Sequence, residues 1–188
     1  ILLIASGVVA GTEVNTLNNV ALALFILPFF LFSALAGQLA DKYDRAMLVR
    51  RIKLVEVFLM TFAAVGFFFN AVYFLLAVLF CMGLQSTFFG PIKYSIIPQH
   101  LPSRELVSGN ALVEMGTFLA ILLGSVSGVL LKMDAADPLI ISAVVVGLAA
   151  LGYLAARSIP KAPAADPGMK INWNLWRETW RIVGYARE

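Results

Sequence analysis

Three ionisable side chains stand out inside the long apolar runs of this chain: Glu56, Lys93 and Glu114. Charge within hydrocarbon is expensive, and such residues mark substrate pathways, proton relays or counter-ions. Glu114 lies nine residues past Glu105. At about 1.5 Å per residue that is roughly 14 Å into a helix, near the centre of a bilayer. Asn110 is one turn earlier on its face and Thr117 one turn later. Lys93 is shallower, shortly before Pro98, and Gln85 precedes it by about two turns on a similar face. Glu56 has Lys53 one turn before it.

Lys93 and Glu114 fall on consecutive apolar runs that must be antiparallel. Counted outward from Leu101, their depths differ by about 7 Å, which two long side chains nearly close. Two readings of each stand. Lys93 either snorkels to the membrane surface or contacts an anionic group such as a phosphate in a polar cavity. Glu114 is either a structural ion pair or protonated acid, or it faces the same cavity and meets a cationic amine or Lys93 itself. His100 reads as a surface residue, without a partner at metal-ligand spacing. The chain carries no nucleophile elbow, phosphate-binding loop, His/Cys cluster or paired-carboxylate motif. We therefore expect no enzyme activity in this segment, no cofactor and no metal.

The elements that must position these groups follow from composition. The chain is 61% hydrophobic and 13% charged, with a mean hydropathy of +0.89. Soluble domains are about 45–50% apolar and about 25% charged. A membrane-crossing helix needs about 20 mostly apolar residues. Complete candidates lie at Leu17–Ala40, Met47–Phe69, Val72–Pro98, Glu105–Leu131 and Pro138–Ser158. Ile1–Gly11 is a further apolar segment, too short to cross. With no initial Met, it reads as the end of a truncated first span. A cleaved signal peptide is the competing reading, against which stands the lack of a basic start and a small-residue cleavage site. The runs are too long and unbroken for a barrel, whose strands alternate strictly. The single Cys81 excludes an internal disulfide and reads as a small packing residue.

Lys and Arg set the orientation. Lys42, Arg45, Arg50, Arg51 and Lys53 flank one turn, Arg104 lies in another, and Arg157, Lys161, Lys170, Arg177, Arg181 and Arg187 follow the last span. All fall on one side. The opposite side shows only Lys132, beside Asp134 and Asp137. This pattern places the basic turns and the C-terminal tail in the cytoplasm. The net charge of +3 is thus a topology signal and gives no case for nucleic acid.

Short turns predict that sequential helices are antiparallel neighbours. Pro28 and Pro91 lie inside spans and predict kinks. Residues 1–158 read as a transmembrane helical half-bundle and 159–188 as a cytoplasmic linker. The linker opens with the Pro-rich Ile159–Met169 stretch. It then carries Trp173, Trp176 and Trp180 on one helical face, which suits a helix lying in the headgroup layer; a soluble helix with a Trp core is the alternative. Gly116, Ala120, Gly124 and Gly128 place a small residue at every fourth position of one span. Small residues let backbones approach closely in lipid. The row reads as tight packing or as a face that slides against its neighbour.

The turn at Gly37-Gln38-Leu39-Ala40-Asp41-Lys42, followed by Arg45, resembles motif A of the major facilitator superfamily, with Asp44 where the family has a second glycine. The Phe89–Pro98 run, the Gly109–Glu114 run and Ala120–Ser125 resemble the lysophospholipid transporter branch of that superfamily, especially forms fused to acyltransferase and acyl-carrier-protein ligase modules. The resemblance implies an all-α integral membrane fold, the N-terminal six-helix half of a larger bundle, with five full spans and the end of a first. It implies movement of lysophospholipid, chiefly lysophosphatidylethanolamine, to the inner leaflet of the bacterial cytoplasmic membrane for re-acylation. Lys93, Glu114, Asn110 and Gln85 are then the expected pathway residues, and Gly37, Asp41, Lys42 and Arg45 the gating motif. The expected partners are phospholipid or lysophospholipid, a C-terminal six-helix half and a fused or associated acyltransferase. An exporter of small amphipathic compounds shares the motif, and a non-transporting membrane anchor for an acyltransferase is a further alternative.

Overall fold

The computed structural model describes residues 12–133 and 137–173, with the side chains of residues 16–130 and 137–173. The expected Trp-rich helix, with Trp176 and Trp180, and the Ile1–Gly11 segment lie outside the described residues, as do the side chains of Lys132 and Asp134. The elements are α1 (Thr12–Lys42), α2 (Arg45–Phe68), α3 (Val72–Ser95), the single turn α4 (Ile97–His100), a 3-10 turn (Ser103–Glu105), α5 (Leu106–Met133) and α6 (Pro138–Arg157). Among the described residues, four helical stretches are long and apolar enough to cross a membrane: Thr16–Lys42, Val72–His100, Ser103–Leu130 and Pro138–Arg157.

The fifth expected span, Met47–Phe69, is a helix of the right length but a more polar one. α2 runs for 24 residues, about 36 Å, and its first half carries Arg50, Arg51, Lys53 and Glu56. Asp44 caps it, its carboxylate accepting from Met47 N at 2.7 Å. Asp44 holds φ at −58°, so the backbone there does not need the glycine of the family pattern. An Asp instead satisfies one of the orphan N–H donors at the helix start.

Lateral pairing departs from the sequential order expected from the short turns. α1 packs along α3, and α2 lies against both α3 and α6, while α1 and α2 barely meet. The reason is steric. Gly83 on α3 sits where an added Cβ would stand 2.3 Å from the Phe25 carbonyl oxygen of α1. The two backbones therefore touch, as small residues allow in membrane helices. Pro28 is fully buried within the bundle. α1 and α3 continue as helices through Pro28 and Pro91. Where Pro98 was expected to close one span, the helix breaks at Ile96, with Pro98 in the first turn of α4.

Ala40, Val49, Ile92 and Ala156, from α1, α2, α3 and α6, form a small buried cluster at one end of the bundle, with Leu48, Ile52, Phe89 and Ile159 packed on it. At the other end α2 turns into α3 through Asn70, at φ 50°, a left-handed position that Asn tolerates. Cys81, expected to pack, is exposed.

α5 stands apart. Its principal backbone contacts are with α4 and the 3-10 turn, and no residue in its apolar stretch is buried within the chain. Between it and the other helices is a cavity of about 580 Å³, lined by Ala63, Val78, Met82, Gly124, Gly128 and Val145 among others.

Candidate functional site

Lys93, near the end of α3, and Glu114, on α5, come together. Lys93 Nζ is 3.6 Å from Glu114 Oε1 and donates to the Thr117 hydroxyl at 3.2 Å. Thr117 in turn donates to Val113 O at 2.8 Å. The Tyr94 hydroxyl also donates to Glu114, and Lys93 Nζ lies 4.7 Å from the Tyr94 ring centre. The Lys93 side chain is 21% exposed and that of Glu114 40% exposed. The carboxylate is thus shared between an ammonium and a phenol and remains open on one side.

Tyr94 was missed by the sequence reading. Adjacent residues do not share a helix face, so a search along the Lys93 face passes over it. Only the length of the phenol brings it round to Glu114.

Asn110 and Gln85 do not join this group. The Asn110 amide folds back onto its own helix, donating to Leu106 O at 2.9 Å. Gln85 is buried and faces α2, where it donates to Glu56 Oε2 at 3.1 Å. Eight residues at about 100° each leave Gln85 and Lys93 about 80° apart around the helix, which explains the separation. The same Glu56 oxygen takes Lys53 Nζ at 2.7 Å. Lys53 also lies 5.0 Å from the Phe89 ring centre, and its stem runs past Gly152 of α6. A second polar cluster, Lys53–Glu56–Gln85, therefore sits between α2, α3 and α6 with its charges mutually satisfied.

The motif turn joins α1 to α2. Arg45 is buried at 6% exposure, and its guanidinium is 3.5 Å from the Asp41 carboxylate, which is half-exposed. Lys42 Nζ rests 5.8 Å from the Tyr43 ring centre. A Cβ on Gly37 would meet nothing within 4 Å. The same holds for Gly116, Gly124 and Gly128, so the small-residue row of α5 presses on no described neighbour. Gly124, Gly128 and Ala120 line the cavity instead. Among the described residues, no group of three His, Cys, Asp or Glu is placed to hold a metal ion.

Comparison with known proteins places these features in context. Residues 4–187 match the family description "Major Facilitator Superfamily". The chain is 34% identical over 166 residues to the lysophospholipid transporter LplT of Salmonella heidelberg, covering 87% of this chain and 37% of that protein. The same figures hold for LplT of Salmonella typhi and of Salmonella gallinarum. The chain thus spans little more than a third of the length of these curated relatives.

Proposed function

Because this chain belongs to the Major Facilitator Superfamily, a family of multi-pass membrane transporters, we propose that it is the N-terminal half-bundle of a secondary transporter for lysophospholipid. The observation that carries this reading is the Lys93–Glu114 pair, 3.6 Å apart and partly open, in a chain similar to lysophospholipid transporters. A lysophosphatidylethanolamine headgroup carries one phosphate and one amine. Lys93 and Thr117 suit the phosphate, and Glu114, released by Lys93, suits the amine. The substrate thereby exchanges one ion pair for two and strands no charge. The acyl chain needs apolar walls such as those of the cavity beside α5.

In this reading residues 1–158 form the half-bundle, and the segment from 159 links it to a C-terminal six-helix half. The basic turns face the cytoplasm of a bacterial inner membrane. Rocking of the two halves exposes a midplane site alternately. Asp41, Lys42 and Arg45 brace the inward gate at the Gly37 turn, and the α5 row from Gly116 to Gly128 supplies a close-packing face. Re-acylation at the inner leaflet would fall to a fused or associated acyltransferase.

The test is uptake of labelled lysophosphatidylethanolamine by membrane vesicles carrying the full-length protein. Uptake above empty vesicles, competed by unlabelled substrate, is expected. Background uptake would remove the lipid substrate from the reading.

A further inference from the structure

The segment after α6 is short of regular structure, yet it is tied down along its length. The Arg50 guanidinium donates to Ile159 O at 2.7 Å. Arg45 N donates to Ala162 O at 2.8 Å. The Gln99 amide donates to Pro163 O at 2.9 Å. Asp166 N donates to Asp41 O at 2.9 Å, and Asn172 N to Gln38 Oε1 at 2.8 Å. Ala162 is completely buried. These bonds reach the ends of α1, α2 and α4, and α1 and α2 barely touch each other.

Two of the five bonds go to main-chain atoms of the motif itself, the Asp41 carbonyl and the Arg45 amide. A bond to the backbone fixes where the Asp41 and Arg45 side chains begin. Those side chains are 3.5 Å apart, so a shift of about an ångström at either end decides whether they pair. Pro160, Pro163 and Pro167 restrict the free chain and lower the entropy lost on docking.

We propose that Ile159–Asn172 is a working part of the transport cycle: a strap that holds the Gly37–Arg45 turn in its gating geometry and stays docked while the helices move, with Gln38 and Arg50 as its positioning residues. This rests on the transport reading above. It goes beyond that reading by giving the linker a task other than connecting two halves. Five ties and a buried Ala162 make the segment move with the half-bundle as one body, so the turn is never released from it.

The experiment uses the full-length protein in membranes and compares wild type, Gln38→Ala/Arg50→Ala and Gln38→Glu/Arg50→Lys. The first double variant removes an acceptor and a donor, and the second keeps both. Hydrogen exchange is followed at 160–172 and separately at the 37–45 turn. In the Ala variant both regions should exchange about tenfold faster. Turnover of lysophosphatidylethanolamine should fall about tenfold with KM within about twofold, and the conservative variant should recover both readouts. A Gln38→Cys/Asn172→Cys pair, once cross-linked, should keep more than half of the turnover of the uncross-linked pair. Unchanged exchange at the turn in the Ala variant overturns the strap, and that readout needs no substrate. Faster exchange with wild-type turnover overturns its part in gating. Loss of transport on cross-linking overturns the claim that it stays docked. Failure of wild-type uptake with faster exchange at the turn removes the gating role along with the substrate reading.

Discussion

Lys93 Nζ stands 3.6 Å from Glu114 Oε1 across α3 and α5, two helices whose backbones otherwise hardly approach each other. The pair therefore ties α5 laterally to α3, and its Glu114 carboxylate is more open than either charge of the Lys53–Glu56 pair. These two tasks separate under mutation. Lys93→Ala or Glu114→Ala leaves a charge without its partner and should lower stability by about 1–3 kcal/mol. The double Ala variant leaves none and should unfold closer to wild type. Uptake should stay at least about tenfold down in all three. Thermal unfolding in detergent and vesicle uptake together check this, and a double variant that regains uptake would make the pair structural only.

The Lys53–Glu56–Gln85 cluster should behave differently. Glu56→Ala strands Lys53, an uncompensated charge costing about 3 kcal/mol. Lys53→Met/Glu56→Met/Gln85→Leu should fall within about 1 kcal/mol of wild type, because apolar side chains can replace a satisfied buried ion pair and its hydrogen-bond partner together. Gln85→Ala should be non-additive with Glu56→Ala and additive with Lys93→Ala. Stability measured over these combinations decides the grouping.

Gly83 and Gly124 have opposite expected sensitivities. Gly83→Ala puts a methyl into the Phe25 carbonyl and should cost about 1–3 kcal/mol through forced separation of α1 and α3. Gly124→Ala meets no atom within 4 Å and should leave the stability of this half unchanged. Thermal unfolding of the two variants side by side is sufficient.

Asp44→Ala should cost about 1 kcal/mol by removing the cap on α2, and Asp44→Gly only a few tenths. The ranking, read from unfolding midpoints, tests whether the residue at the altered motif position works as a cap.

Depth was legible in the sequence, and azimuth only in part. Counting residues from Leu101 put Lys93 and Glu114 within about 7 Å of the same depth, near enough for two long side chains to meet, because the rise per residue is fixed. The apolar runs similarly marked the helices to within a few residues. Which helix lies beside which is not encoded in such counts. Gly83 decides that α3 meets α1, and nothing near Gly83 in the sequence distinguishes it from glycines that face open space, such as Gly116. Gln85 was assigned to Lys93 on approximate spacing, and about 80° of rotation placed it with Glu56 instead. Asn110 was on the right side of α5, but its amide had a nearer acceptor in its own backbone. The Pro-rich run after Ser158 announced a break in helix without revealing the carbonyls it presents to α2 and α4 or the amide N–H groups it presents to α1.

The contrast between α2 and α5 bears on how the chain reaches its final arrangement during synthesis. α5 buries none of its apolar stretch and carries a single charged side chain there, Glu114, whose partners Lys93 and Tyr94 are already made with α3, so it can leave the protein-conducting channel for lipid without waiting for a later helix. α2 cannot do so cheaply: each Lys or Arg near the middle of a span costs about 2.5–3.5 kcal/mol on insertion scales. Its relief comes in instalments. Gln85 arrives with α3, directly after the Asn70 turn, and takes one side of Glu56. Gly152, which makes room for Lys53, and the Ile159 carbonyl that receives Arg50 are made only after α5 is complete. The order in which the helices are made is therefore not the order in which they settle, and α2, early in the chain, must wait for α6.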